Sequence, residues 1–123
     1  MEQTIPPLTI KQLQEWAARN DAIAGWDKEK PQGEKFMEFI GLTHAELSEA
    51  LEDYRNHKGF DEVWYEEQPD GNMKPCGIPT EFADVVIRIF GFCEHNGIDL
   101  QARIEEKLAF NATRGFRHGG KKI

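Results

Sequence analysis

Apolar residues recur at helical spacing in four stretches of the chain, separated by turn-forming residues. Leu13, Trp16, Ala17 and Ile23 mark the first stripe. Thr9 and Gln12, just behind Pro6 and Pro7, have the spacing of a capping box and predict a helix start at Thr9. The second predicted helix runs from about Gln32 to Arg55. Phe36, Ile40, Leu47, Leu51 and Tyr54 form its stripe, and Met37, Phe39 and Ala50 widen it. Gly41 and Thr43 lower the local propensity and make room for a bend. The third stretch is the densest: Phe82, Val85, Val86, Ile89, Phe90 and Cys93, with Phe82 and Phe90 expected in the core. Thr80 is its expected cap, Glu81 sits in its first turn where the helix dipole favours an anion, and Asn96-Gly97 closes it. The β-branched run at 85–87 would suit a strand, but the flanking pattern is long enough to favour helix. A fourth helix is expected from Asp99 through Ile104, Leu108 and Ala112 to about Arg114.

Residues 56–79 read as a long connection. Pro69-Asp70-Gly71 is a turn former, and Val63-Trp64-Tyr65 fits either a short strand or a helical turn. A connection of this length suggests a functional or subunit-contact role. The end of the chain, 115–123, is glycine-rich and basic and is expected to be a flexible tail. The expectation is therefore a single all-α domain over 1–123, like a four-helix bundle, with a long connection between helices two and three.

Composition narrows the function classes. The chain has 123 residues, 39% hydrophobic and 30% charged, with 8 Phe and 3 Trp, which is not a disordered composition. No apolar run is long enough to span a membrane. Met1-Glu2-Gln3-Thr4 has no basic region leading into an apolar stretch, so a cytoplasmic location is expected. Cys76 and Cys93 are expected as free thiols. A net charge of −7 argues against a nucleic-acid backbone binder. The charge is unevenly spread: residues 46–70 hold nine acidic and two basic side chains, and residues 101–123 hold six basic and two acidic ones. An acidic middle and a basic end fit a metal with its anionic ligand, or subunit pairing.

Two carboxylate pairs stand out. Glu46 and Glu49 lie three apart on the second predicted helix, and Glu81 and Asp84 lie three apart on the third. That spacing puts each pair on one helical face, at the margin of the apolar stripe. Four carboxylates held together repel, and a hard divalent cation between them offsets the repulsion; oxygen ligands suit Mg²⁺ or Mn²⁺. Acids three apart also occur on solvated helix faces, so the spacing alone leaves that reading open.

The ordered set resembles the MazG-like all-α nucleoside triphosphate pyrophosphohydrolases. The resemblance rests on Glu46-x-x-Glu49, on the segment from Pro75 to Ile89 containing Glu81-x-x-Asp84, and on the segment from Lys107 to Arg114 followed by Arg117-His118-Gly119-Gly120-Lys121-Lys122. It implies Mg-dependent hydrolysis of nucleoside triphosphates, with deoxynucleotides expected, to a monophosphate and pyrophosphate. It further implies Glu46, Glu49, Glu81 and Asp84 as catalytic and metal-holding residues, Glu49 being preferred as general base. Lys107 and Asn111, four apart on one helical face, fall on the family's late lysine and asparagine and would contact substrate. Arg114 adds a fork suited to phosphate. Arg117, with His118, Lys121 and Lys122, either closes over the polyphosphate or belongs to a plain soluble tail, and Trp16 either packs in the core or stacks on a base. A homodimer or dimer of dimers is implied as well, and the broad apolar faces of helices two and three ask for the same cover.

The competing reading is a non-catalytic helical oligomer that binds a metal or a nucleotide in a regulatory or structural role. Pyrophosphate release from dNTPs with Mg²⁺ separates the two.

Overall fold

A computed structural model describes residues 7–23 and 32–114. In chain order these residues form α1 (Ile10–Ile23), α2 (Gln32–Arg55), β1 (Trp64–Glu67), β2 (Met73–Cys76), α3 (Ile78–His95) and α4 (Leu100–Ala112). The chain is mostly helical, as the periodicity predicts, with a two-stranded antiparallel hairpin that an all-α reading does not include. No described helix is long and apolar enough to cross a membrane.

Of the three helix starts whose caps are described, those of α1 and α4 follow local chemistry and one does not. At α1 the Thr9 N–H donates to Gln12 Oε1 at 2.9 Å and the Gln12 N–H donates to Thr9 Oγ1 at 3.2 Å, the reciprocal pair of a capping box. At α4 the Asp99 side chain accepts from the Ala102 N–H at 3.1 Å. That helix stops at Ala112, two residues short of the expected Arg114. Helix α2 runs unbroken through Gly41 and Thr43; the Thr43 hydroxyl donates to the Phe39 carbonyl at 2.6 Å, an intrahelical outlet for its polarity.

The exception is α3. It begins at Ile78, not behind a Thr80 cap, and its cap is Gly77. Gly77 is buried at φ 126°, a conformation open in practice to glycine alone, and a Cβ there would run into the Glu62 carbonyl oxygen. Pro79 fits in the first turn because its missing N–H has no intrahelical partner to lose.

The hairpin fills the second half of the long connection. Trp64 pairs with Cys76, and Glu67 with Met73. Its turn is the Pro-Asp-Gly segment: the Gly71 N–H donates to the Gln68 carbonyl at 2.8 Å, and the Asn72 N–H donates to Asp70 Oδ1 at 2.9 Å. Val63-Trp64-Tyr65 thus resolves toward strand, with Val63 just outside it. Lys58 Nζ lies 4.6 Å from the Trp64 ring centroid.

Helix α3 is the centre of the packing, with α1 against one side and α2 against the other; α4 leans on α1. Ala17, Ala50, Ile78, Phe90 and Cys93 are buried at these seams, and Phe39 stacks on Phe92 at 4.4 Å between α2 and α3. Phe82 is not in the core: it is 52% exposed and lines a shallow apolar groove with Leu47, Leu51, Tyr54 and Phe60. Tyr54 and Phe60 stack at 5.7 Å and pin the end of α2 to the loop that follows. Cys76 and Cys93 are free and buried, and burial pushes both thiols up.

Candidate metal centre

The Gly77 turn fixes where α3 starts, and therefore which face of α3 meets α2. Its carbonyl accepts the Glu81 N–H at 3.0 Å as the first helical bond. Glu81, Asp84 and Arg88, at intervals of three and four, then share one face of α3. Glu46, on α2, meets that face. Glu46, Glu81 and Asp84 offer carboxylate oxygens that lie within 4.8 Å of one another. Two neighbouring helices thus bring together three of the four acids that the sequence singles out. Glu49 stands beside this group and is solvent-exposed, yet near enough to act on Glu81.

The electrostatics follow from the crowding. Burial first, then hydrogen bonding with and repulsion from Glu46 and Glu49, push the Glu81 carboxyl up to about 8. Asp84 is raised too, mainly by burial and next by Glu46, while Arg88 pulls it the other way. While protonated, Glu81 shares its proton with Glu46 and Glu49; once it is ionised, its buried oxygen Oε2 accepts no hydrogen bond. Buried carboxylate oxygens without donors are uncommon, because their desolvation goes uncompensated. Converging hard oxygen donors with one of them unsatisfied fit a hard divalent cation, Mg²⁺ or Mn²⁺.

Arg88 is the residue that sequence reasoning misses. Its Nε and Nη2 both donate to Glu46 Oε1, at 3.2 and 3.0 Å. The signal available in the sequence is its position four residues after Asp84, on the acidic face of the helix, but its partner lies 42 residues away and only packing brings the two together.

The other expected site residues lie elsewhere. Lys107 and Asn111 are exposed on α4, and no hydrogen bond or ion pair joins them to the acids. Lys107 Nζ and the Arg114 guanidinium both lie over Phe110, at 5.1 and 5.5 Å from its ring centroid. Trp16 is half-buried on α1, with the Arg19 guanidinium 4.8 Å over its ring. Arg117 and the tail 115–123 fall outside the described residues. Comparison with protein-family models, with curated proteins and with solved structures returned no match.

Proposed function

We propose that this chain is a Mg²⁺-dependent nucleoside triphosphate pyrophosphohydrolase of the MazG-like all-α kind, acting on dNTPs to give a monophosphate and pyrophosphate. The observation that carries the reading is the convergence of Glu46, Glu81 and Asp84 from two helices, with a buried Glu81 oxygen that no donor satisfies. Glu46, Glu81 and Asp84 are the residues to hold the cation. When bound, it supplies neutralisation of the polyphosphate and polarisation of the phosphorus under attack. Glu49, at the solvent edge of the cluster, is the carboxylate best placed to accept the proton of an attacking water. Leaving-group charge on the pyrophosphate side calls for cationic side chains, a role for which Lys107 and Arg114 have the chemistry.

The same reading takes the working form to be a homodimer or dimer of dimers. The exposed groove of Leu47, Leu51, Tyr54, Phe60 and Phe82 adjoins the acids and is what a second copy would cover. A neighbouring copy is also a source for Lys107, which among the described residues makes no hydrogen bond or ion pair with the acidic cluster of its own chain. The competing module reading draws on that same separation.

The test is product analysis by phosphorus NMR, with each dNTP and NTP supplied in Mg²⁺. The expected products are monophosphate and pyrophosphate, and Glu49→Gln and Asp84→Asn should each lower turnover by about a hundredfold or more. Nucleotide or metal binding without turnover would instead identify a non-catalytic helical oligomer. Release of the γ-phosphate would point to different chemistry.

A further inference from the structure

We propose that Arg88 is a built-in substitute for the cation: it holds Glu46 when the cluster is empty, releases it when a divalent ion binds, and so sets the cluster's affinity. This inference rests on the cation-binding reading above. The guanidinium directs two donors at a single oxygen of Glu46, the carboxylate that α2 contributes to the group of three. Glu46 is 13% exposed and Arg88 38%, so the pair is shielded more than a surface salt bridge and is charge-assisted. Among the described residues, no other Lys or Arg forms an ion pair with the cluster. Lys74 acts on Asp84 only through space.

A cation and a guanidinium compete for Glu46 for two reasons. Both need electron density from the same carboxylate, and their like charges repel at close range. A second role, orienting Glu46, works in the opposite direction, but it amounts to fixing one side-chain rotamer. Charge competition is the larger effect. Arg88 therefore keeps the empty cluster from repelling itself, at the expense of tight cation binding.

Two measurements on the full chain test this. The first follows the Arg88 Nε–H signal of the wild-type protein by ¹H–¹⁵N NMR during a Mg²⁺ titration, with the signal assigned by its loss in Arg88→Lys. It should move and lose its exchange protection as the cation saturates. The second measures Mn²⁺ affinity by electron paramagnetic resonance. Arg88→Met should bind about tenfold more tightly than wild type, and Arg88→Lys, which keeps the charge, should stay within about threefold. Cation-free Arg88→Met should also melt lower than wild type. An Arg88 signal indifferent to saturating Mg²⁺, or Arg88→Met binding no tighter than wild type, overturns the inference while leaving the cation site standing. If wild type and Arg88→Met both fail to bind Mn²⁺, the cation reading falls and takes this inference with it. Should Arg88→Met not fold, the wild-type titration decides alone.

Discussion

Gln14, on α1, and Glu81, on α3, both place polar atoms at a packed seam of α3, and the two seams treat them in opposite ways. Gln14 is 3% exposed, yet both ends of its amide are satisfied. Its Nε2 donates to the Ile98 carbonyl at 3.0 Å and to Glu94 Oε1 at 3.3 Å, and its Oε1 accepts the Leu100 N–H at 3.0 Å. Glu81, when ionised, has a buried oxygen with no donor, and three further carboxylates, Glu46, Glu49 and Asp84, stand beside it. The first arrangement stabilises the fold: the amide completes backbone bonds that the corner between α3 and α4 leaves open. The second costs stability in the cation-free protein, and an arrangement that costs stability is where a ligand has something to offset. Burial of a polar group thus separates structure from function only when its partners are counted.

The acid seam is most vulnerable at Gly77. Gly77→Ala should cost roughly 3 kcal/mol or more, because the backbone conformation is strained for any side chain and the new Cβ meets the Glu62 carbonyl. The damage should fall on the acid seam: Mn²⁺ binding disappears, while spectral probes of Gln14 change little. Next in size is Gln14→Ala. It strands the Leu100 N–H and the Ile98 carbonyl and should cost about 2 kcal/mol in chemical denaturation, by the same amount with and without Mg²⁺. A loss that Mg²⁺ repairs would remove the distinction between the seams.

Glu81→Gln should have the opposite sign. In cation-free protein at pH 8 it should stabilise by about 1 kcal/mol, seen as a melting temperature a few degrees higher. The pH dependence follows from Glu81 being raised from its ordinary 4.5 to about 8. Below about 4.5 both folded and unfolded chains hold the proton, and nothing is lost. Between there and about 8 the folded chain keeps a proton that the unfolded chain releases, so stability falls as pH rises and levels off above. Glu81→Gln should remove that slope. If Glu81 is a cation ligand as proposed, its ionised form is the one that binds, and the Mg²⁺-linked gain in melting temperature should be larger at pH 8 than at pH 6.

What could be read from the sequence was whatever short-range chemistry decides. Thr9 with Gln12 and Asp99 with Ala102 act over three residues, so their caps are visible in the string. The start of α3 is not, because Thr80 is as good a cap by composition as any, and the choice of Gly77 depends on Glu62 passing close to it in space. The hairpin was half visible. Its turn is written in Pro69-Asp70-Gly71, but its pairing joins Trp64 to Cys76 across twelve residues. Phe82 is apolar and at helical spacing, yet it is exposed, because periodicity gives a face and not what covers it. For the site, the i, i+3 acids were legible as two pairs and their meeting point was an inference. Arg88 shows its place on the acidic face, but its pairing with Glu46 cannot be read from the string because it is a contact between helices, 42 residues apart. Lys107 and Asn111 had the right chemistry and spacing, but spacing within α4 says nothing of where α4 is held.

That last point gives the Gln14 amide a mechanical meaning. By bonding Ile98 and Leu100 on either side of the corner, it acts as the fulcrum of a lever whose arm is α4. Besides Gln14, the arm is fastened near the same end, where the Lys11 N–H meets Gln101 Oε1 at 3.2 Å. At about 1.5 Å of rise per residue, Lys107 lies about 10 Å and Asn111 about 16 Å from Leu100. A tilt of roughly ten degrees at the fulcrum therefore carries Asn111 some ~3 Å sideways and Lys107 less than two-thirds as far. Small adjustments around one glutamine are amplified into the reach of Lys107 and, more so, of Asn111.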